Sequence, residues 1–390
     1  MKNLWDKDEA KKFENDPLAL RVYSSRLLGY SKELVLHGGG NTSVKIDDYL
    51  YVKGSGWNLD TIEKEGFPAV DLDTLIKLAS RESLSDSQMV SAQKEAMRDK
   101  SAPNPSVEAI LHAIIPFKYV DHTHTDAVVT ITNTPNSQKF LSQIYGNDIL
   151  IIDYVMPGFI LAKEIYEKTK DIDWSKLNGI ILLNHGLFTF DNDAKKSYDK
   201  MIDIVTKAEE FLDKNAQLDI PRIEHKSITE DELNNYNQII SPLRGREIKS
   251  EILDTPEAIY FSTLNNLKQL IHQGTLTPEH VIRTKPYPLL VENDFESDLK
   301  NFVKSYKIYF DKHSTDEIML DLAPRYAIIK NRGIVLFGTN EKENLILKDI
   351  VSHTIKAIMK AQKLSSWQSL NKEELFKMEY WELEQAKLKK

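Results

Sequence analysis

Cysteine is absent from the 390 residues. No disulfide scaffold, thiolate metal site or cysteine nucleophile is therefore available. No apolar stretch reaches the length of a membrane span or a signal-peptide core, and the opening MKNLWDKDEA is charged throughout. Positive charge is in short supply: 51 Lys and Arg against 59 Asp and Glu give a net charge of −8. Phosphate neutralisation on nucleic acid needs a basic surface. Neither nucleic acid nor a membrane is an expected partner, and the expected location is the cytoplasm. Any metal must be held by His, Asp or Glu. What is present is 41% hydrophobic and 28% charged residues, enough for a sizeable core. At about 150 residues per domain, the length suits two domains.

Apolar spacing predicts a helix within 1–30, with Leu18, Leu20, Val22, Tyr23 and Leu27 on one side. A glycine turn, HGGGNTS (37–43), follows. Strand-like runs lie at 43–46, 49–54 and 67–73, and a second glycine turn, KGSG, at 53–56. Asn104 and Pro105 predict the start of a helix over 104–118. Strands are expected at 119–132, 149–155 and 179–190, and an amphipathic helix at 193–214. The polar stretch 215–250 marks the expected boundary between domains at 1–225 and 240–390. The second domain alternates helix and strand, and the charged tail 371–390 is expected as a surface helix.

His122 and His124 sit two apart in a strand-like run, so both rings leave one face. A surface pair would show the same spacing. His185 in LLNHGLF adds a third imidazole, and three histidines with one position open suit a catalytic zinc. Glu108, expected in the first helical turn, suits the helix dipole or a general acid/base. His112, one turn on, is expected to pack or to support the site rather than to ligate. In the glycine turns, backbone N–H groups can approach an anion, and Asn41, Thr42, Ser43, Ser55 and Ser106 add donors. Neither turn matches a P-loop or a dinucleotide fingerprint, so no NAD is expected.

GGGNTS, KGSGW, PSVE (105–108), HTHTDA (122–127), DYVMPG (153–158) and NHGLF (184–188) together resemble the class II aldolase/adducin family over about residues 15–215. The resemblance implies an α/β/α fold with a mainly antiparallel central sheet, commonly in a homo-oligomer, a four-fold tetramer. It implies zinc or another divalent metal on His122, His124 and His185, and Glu108 as acid/base. Gly40, Asn41, Ser55, Gly56 and Ser106 would hold a substrate phosphate. Val107 departs from the pattern, which often has a second serine there. TLTPEHVIRTKPYPL (275–289) and MLDLAPR (319–325) resemble the aldolase half of bifunctional rhamnulose-1-phosphate aldolase/alcohol dehydrogenase proteins. Here the sequence ends at Lys390, before the dehydrogenase half. The implied chemistry is cleavage of a ketose 1-phosphate to dihydroxyacetone phosphate and an aldehyde. Sugar-phosphate epimerase, methylthioribulose-phosphate dehydratase and adducin-like binding module are the alternatives. Glu108 favours aldolase over epimerase, and the three histidines argue against the binding module.

The C-terminal part also echoes the first. NHGLF (184–188) lines up with NRGIV (331–335), and HTHTDAVVTI (122–131) with RTKPYPLLVE (283–292). On this alignment Arg283, Lys285 and Arg332 replace the histidines. A second α/β domain is then expected as a degenerate, metal-free aldolase repeat whose cations bind an anion.

Overall fold

The computed structural model describes residues 1–389. The chain divides into two compact units, Met1–Thr132 with Asn136–Phe211, and Asn133–Pro135 with Leu212–Lys390. The division falls inside the long helix Ala194–Ala216, not in the polar stretch 215–250. That stretch contains a further helix, Glu230–Arg244, opened by a Thr229/Glu232 capping box. Its Tyr236 and Ile240 enter the core of the second unit.

The first unit is built on seven strands: β1 (Asn41–Ile46), β2 (Tyr49–Val52), β3 (Ala69–Asp71), β4 (Tyr119–Thr123), β5 (Ile149–Ile152), β6 (Gly179–Leu182) and β7 (Gly186–Asp191). Their order is β3-β2-β1-β4-β7-β6-β5. Every pairing is antiparallel except β5 with β6. β4 and β6 are buried along their whole length, as strands covered on both faces must be. Behind β4, Arg21 and Asp121 form a fully buried ion pair, Nη2 to Oδ1 2.5 Å. Ser197 Oγ donates to the other carboxylate oxygen, and Arg21 Nη1 to the Ser43 carbonyl. These bonds tie β1, β4 and two helices together next to His122.

Two expectations in this unit fail. The helix placed at 104–118 begins only at Ala109 and ends at Ile114. Residues 104–106 are held extended instead: Ser55 N–H donates to Asn104, Ser106 N–H donates to Lys53, and Pro105 bridges Gly54. The strand placed at 119–132 stops at Thr123, and Asp126–Thr132 is helical. Ala127 to Thr132 are all buried. No polar face marks the helical period, and the Val, Ile and Thr content resembles a strand.

The second unit has four strands, β8 (Lys249–Leu253), β9 (Leu289–Val291), β10 (Tyr326–Ile329) and β11 (Gly333–Gly338), in the order β8-β11-β10-β9. Directions and connections match β4-β7-β6-β5. In both units the outer pair is parallel, the others are antiparallel, helices join the first strand to the second (two in the first unit, three and a 3-10 turn in the second), and a long helix follows the last. The hairpins superimpose in register: Leu182 faces Gly186, and Ile329 faces Gly333. Asn184 and Asn331 take the same left-handed conformation, φ 58° and 62°. Leu183 N–H bonds the Ile152 carbonyl, and Lys330 N–H the Val291 carbonyl, both at 2.9 Å. The second unit thus repeats the second half of the first, without counterparts of β1–β3.

This register corrects the repeat alignment. His122 and Thr123 face Phe188 and Leu187, while Ile252 and Leu253 face Val335 and Ile334. The counterparts of His122, His124 and His185 are therefore Ile252, Asp254 and Arg332, not Arg283, Lys285 and Arg332. The charged tail is also not a surface helix. Leu375, Phe376, Met378 and Glu379 of the helix Lys372–Glu379 are buried, with Phe376 against Tyr309, Phe310 and Tyr380.

Candidate active site

His122 lies near the end of β4, His124 just past it, and His185 at the tip of the β6–β7 hairpin. The hairpin turn needs a left-handed residue, supplied by Asn184. A close approach fixes the other side. Gly40 has φ 60°, and a Cβ there would stand 2.6 Å from the His122 carbonyl oxygen, so only glycine lets this turn lie on β4.

The ligand-capable atoms of the three histidines all lie within 4.8 Å of one another. His122 Nε2 and His124 Nε2 are 2.9 Å apart. His122 Nδ1 is 3.1 Å from the Leu187 carbonyl. That carbonyl can only accept, so Nδ1 carries the proton and Nε2 turns its lone pair into the cluster. Burial, with His124 and His185 alongside, pushes the His122 pKa well below its ordinary value. Neutral imidazoles aimed at one point fit a divalent cation. Glu108 faces the same point, Oε2 3.5 Å from His122 Nε2 and Oε1 3.6 Å from His185 Nε2.

The glycine turns come to this place too. The extended 104–106 segment, which leads into Glu108, lies along 53–55: Ser55 N–H donates to the Asn104 carbonyl and Ser106 N–H to that of Lys53. Ser106 Oγ accepts from the Glu108 N–H at 3.2 Å. Lys53 Nζ donates to the Gly38 carbonyl and ties the first turn to the second. Lys53 is a buried cation at the anion-type turns that the sequence reading passed over. Its signal was the first letter of KGSG.

Asn41 bridges the acid/base candidate and a buried histidine. Its Nδ2 donates to Glu108 Oε2 at 2.6 Å, and its Oδ1 meets His112 Nε2. His112 is fully buried and its Nδ1 lies 2.8 Å from Ser43 Oγ. Its expected supporting place matches this geometry.

The cations expected to form a second anion site each face a carboxylate of their own. Arg332 is bidentate on Glu232, with both nitrogen–oxygen distances 2.7 Å. Lys285 stands 3.9 Å from Glu379. Arg283 sits in the field of Glu343 and Glu384. Of the three, Arg332 is held by direct hydrogen bonds to a carboxylate.

Residues 20–212 match the Class II Aldolase and Adducin N-terminal domain, and residues 230–388 match Aldolase class II, second domain. The solved N-terminal class II aldolase domain of a conserved protein from Thermoplasma acidophilum is 40% identical, covering 54% of this chain and 99% of that one, with a TM-score of 0.50. The chain belongs to the class II aldolase/adducin family. Among curated relatives, an uncharacterised oxidoreductase of Bacillus subtilis, YuxG, is 30% identical over 420 residues, a match that covers all of this chain. The chain spans 60% of that relative's length. The L-fuculose phosphate aldolase of Methanocaldococcus jannaschii is 27% identical over 183 residues, 44% of this chain and 83% of that protein. Among the described residues, no helix is long and apolar enough to cross a membrane.

Proposed function

We propose that the chain is a zinc-dependent aldolase that reversibly cleaves a ketose 1-phosphate of the rhamnulose-1-phosphate type to dihydroxyacetone phosphate and an aldehyde such as lactaldehyde. The observation that carries this reading is Glu108 set against three converging histidines, beside a rim of glycine turns. The fuculose phosphate aldolase relative supports the substrate class. The reading places the enzyme in the cytoplasm, as a homo-oligomer and without NAD.

His122, His124 and His185 would hold the cation, which supplies Lewis-acid stabilisation of charge on the substrate's carbonyl and adjacent hydroxyl oxygens, worth several kcal/mol. The glycine turns and the hydroxyls of Ser55 and Ser106 orient the phosphate, with Lys53 adding positive charge. As the C4 hydroxyl gives up its proton to solvent and becomes the aldehyde carbonyl, C3–C4 breaks and leaves an electron pair at C3, where Glu108 delivers a proton. In condensation Glu108 removes that proton. Its burial beside the histidines keeps water from competing.

Elemental analysis of wild type beside His122→Ala/His124→Ala tests the site, followed by a screen of ketose 1-phosphates for release of dihydroxyacetone phosphate. About one zinc per chain in wild type, lost in the variant, is expected. A wild type that takes up no divalent metal even with added zinc refutes the mechanism.

A further inference from the structure

Asn41 and Ser43 stand two apart on β1, so their side chains leave one face of the sheet. Glu108 and His112 stand four apart at the start of the helix Ala109–Ile114, so theirs lie one turn from each other. The two pairs interlock. Asn41 touches both Glu108 and His112, and Ser43 touches His112. All four residues are buried.

Counting protons gives the chain a direction. A carboxylate only accepts, so Asn41 must turn its NH2 towards Glu108. Its carbonyl oxygen then faces His112, which must donate from Nε2. A neutral imidazole has one N–H, so Nδ1 accepts and the Ser43 hydroxyl donates. Burial, with Lys45 and Arg21 nearby, keeps this ring neutral and pushes its pKa down to about 3. The relay runs Ser43 Oγ–H to His112 Nδ1, His112 Nε2–H to Asn41 Oδ1, and Asn41 Nδ2–H to Glu108 Oε2. A flipped amide would set oxygen against oxygen at Glu108.

We propose that His112 and Ser43 are positioning residues for the acid/base, locking the Glu108 carboxylate in place through Asn41. Asn41 is the bridge of this relay. The inference rests on the aldolase reading for its effect on turnover, and on geometry alone for the relay itself.

His112→Phe keeps a ring against Phe188, whose centroid lies 5.5 Å from that of His112, and removes both hydrogen bonds. His112→Gln keeps one donor and one acceptor. With zinc-loaded full-length protein, His112→Phe is expected to lower kcat roughly 10- to 100-fold, the scale of a small misplacement of a catalytic group. KM, zinc content and KM-independent phosphate binding should stay near wild type, and His112→Gln should recover most of kcat. A second readout needs no turnover: the imidazole 15N spectrum should show His112 as the neutral Nε2–H tautomer at neutral pH, with His112→Gln assigning the signal. An Nδ1–H tautomer or an imidazolium overturns the relay. So does unchanged kcat in His112→Phe, equal damage in Phe and Gln variants, or loss of zinc together with kcat. A wild type showing the Nε2–H tautomer but cleaving no ketose phosphate supports the relay and refutes the aldolase reading.

Discussion

Replacing Lys285 by glycine tests what the repeat implies about this buried lysine. Lys285 lies six residues before Val291 on β9, and Gly146 lies six before Ile152 on β5, its counterpart. Each ends a helix, and each has φ 61°. The first unit fills this position with glycine. The second holds a lysine there, with ψ 173°, a region that costs a side-chain-bearing residue roughly 1–3 kcal/mol. Something must offset that cost. The ammonium stands 3.6 Å from the centroid of Tyr306 and 3.9 Å from Glu379, which is 0% exposed and also accepts from the Tyr306 hydroxyl. Removing one partner of a buried pair costs about 3–5 kcal/mol, and the lost ammonium–ring contact adds roughly 1 kcal/mol. Relief of strain returns about 2 kcal/mol, so Lys285→Gly should lose about 3 kcal/mol net. Urea unfolding at neutral pH measures it. Adding Glu379→Gln should recover about 2 kcal/mol, a coupling that independent sites do not show. The sign of the pH dependence is a further check. Burial pushes Glu379 up and Lys285 pulls it down. In Lys285→Gly that pull is gone, and burial, the largest influence, is opposed by the hydrogen bonds from Tyr306 and Tyr309 alone. A carboxyl whose folded pKa lies above its unfolded value loses stability as pH rises through the folded pKa. The deficit should therefore deepen as pH rises above the ordinary carboxyl value of 4.5. A variant as stable as wild type, with no coupling to Glu379, would refute the argument and leave backbone strain as the larger effect.

Two other outcomes follow from the site. His112 has a folded pKa of about 3 against an ordinary 6.5, so its contribution to stability is whole above pH 6.5 and is lost as pH falls from 6.5 towards 3. Urea midpoints across that range should fall less steeply in His112→Gln, and identical slopes would show that another group dominates. Gly40→Ala puts a Cβ 2.6 Å from the His122 carbonyl at φ 60°, so a loss of about 1–3 kcal/mol and weaker zinc binding are expected. Zinc affinity by chelator competition, unchanged in that variant, would show that the turn does not hold His122.

The residues of the centre were legible because their chemistry is written in short motifs. HTH, NHG and the two glycine turns name side chains and turns that local rules explain, and the structure brings them to one place. What was hidden depends on long-range pairing. Residues 104–106 carry a helix start signal, Asn-Pro, yet bonds to Lys53 and Ser55 hold them extended. The run Asp126–Thr132 resembles a strand because burial on every side erases the polar face that would betray a helix. The relay was divided between two readings, Asn41 as a phosphate donor and His112 as packing. Its signal was N-x-S on a strand opposite E-x-x-x-H at a helix start, and only the pairing of those elements joins them. The repeat was visible in NHG and NRG. Its partner strand was not, because ILDTPE, which takes that place, has neither histidine of HTHTDA, whereas RTKPYP matches its spacing without its register.

The corrected register also says why the second unit has no such centre. The chemistry proposed for the first unit needs both halves of its sheet. β4 and the β6–β7 hairpin carry the histidines, whereas β1, the glycine turns and the 104–108 segment carry the relay, the rim and Glu108. The second unit repeats only the histidine-bearing half, and at those positions it has Ile252, Asp254 and Arg332. Arg332 sits at the tip of its hairpin on the same asparagine turn as His185, but its guanidinium is clamped by Glu232 of the capping box. That clamp holds Glu232 down at about 2, so the pair stays ionised through the neutral range. Restoring histidine at 332 would remove the clamp without supplying the other two ligands or the acid/base. Among the described residues, the one cluster of histidines suited to a metal is that of the first unit. The repeat has the same hairpin backbone, with an ion pair where the first unit has a histidine.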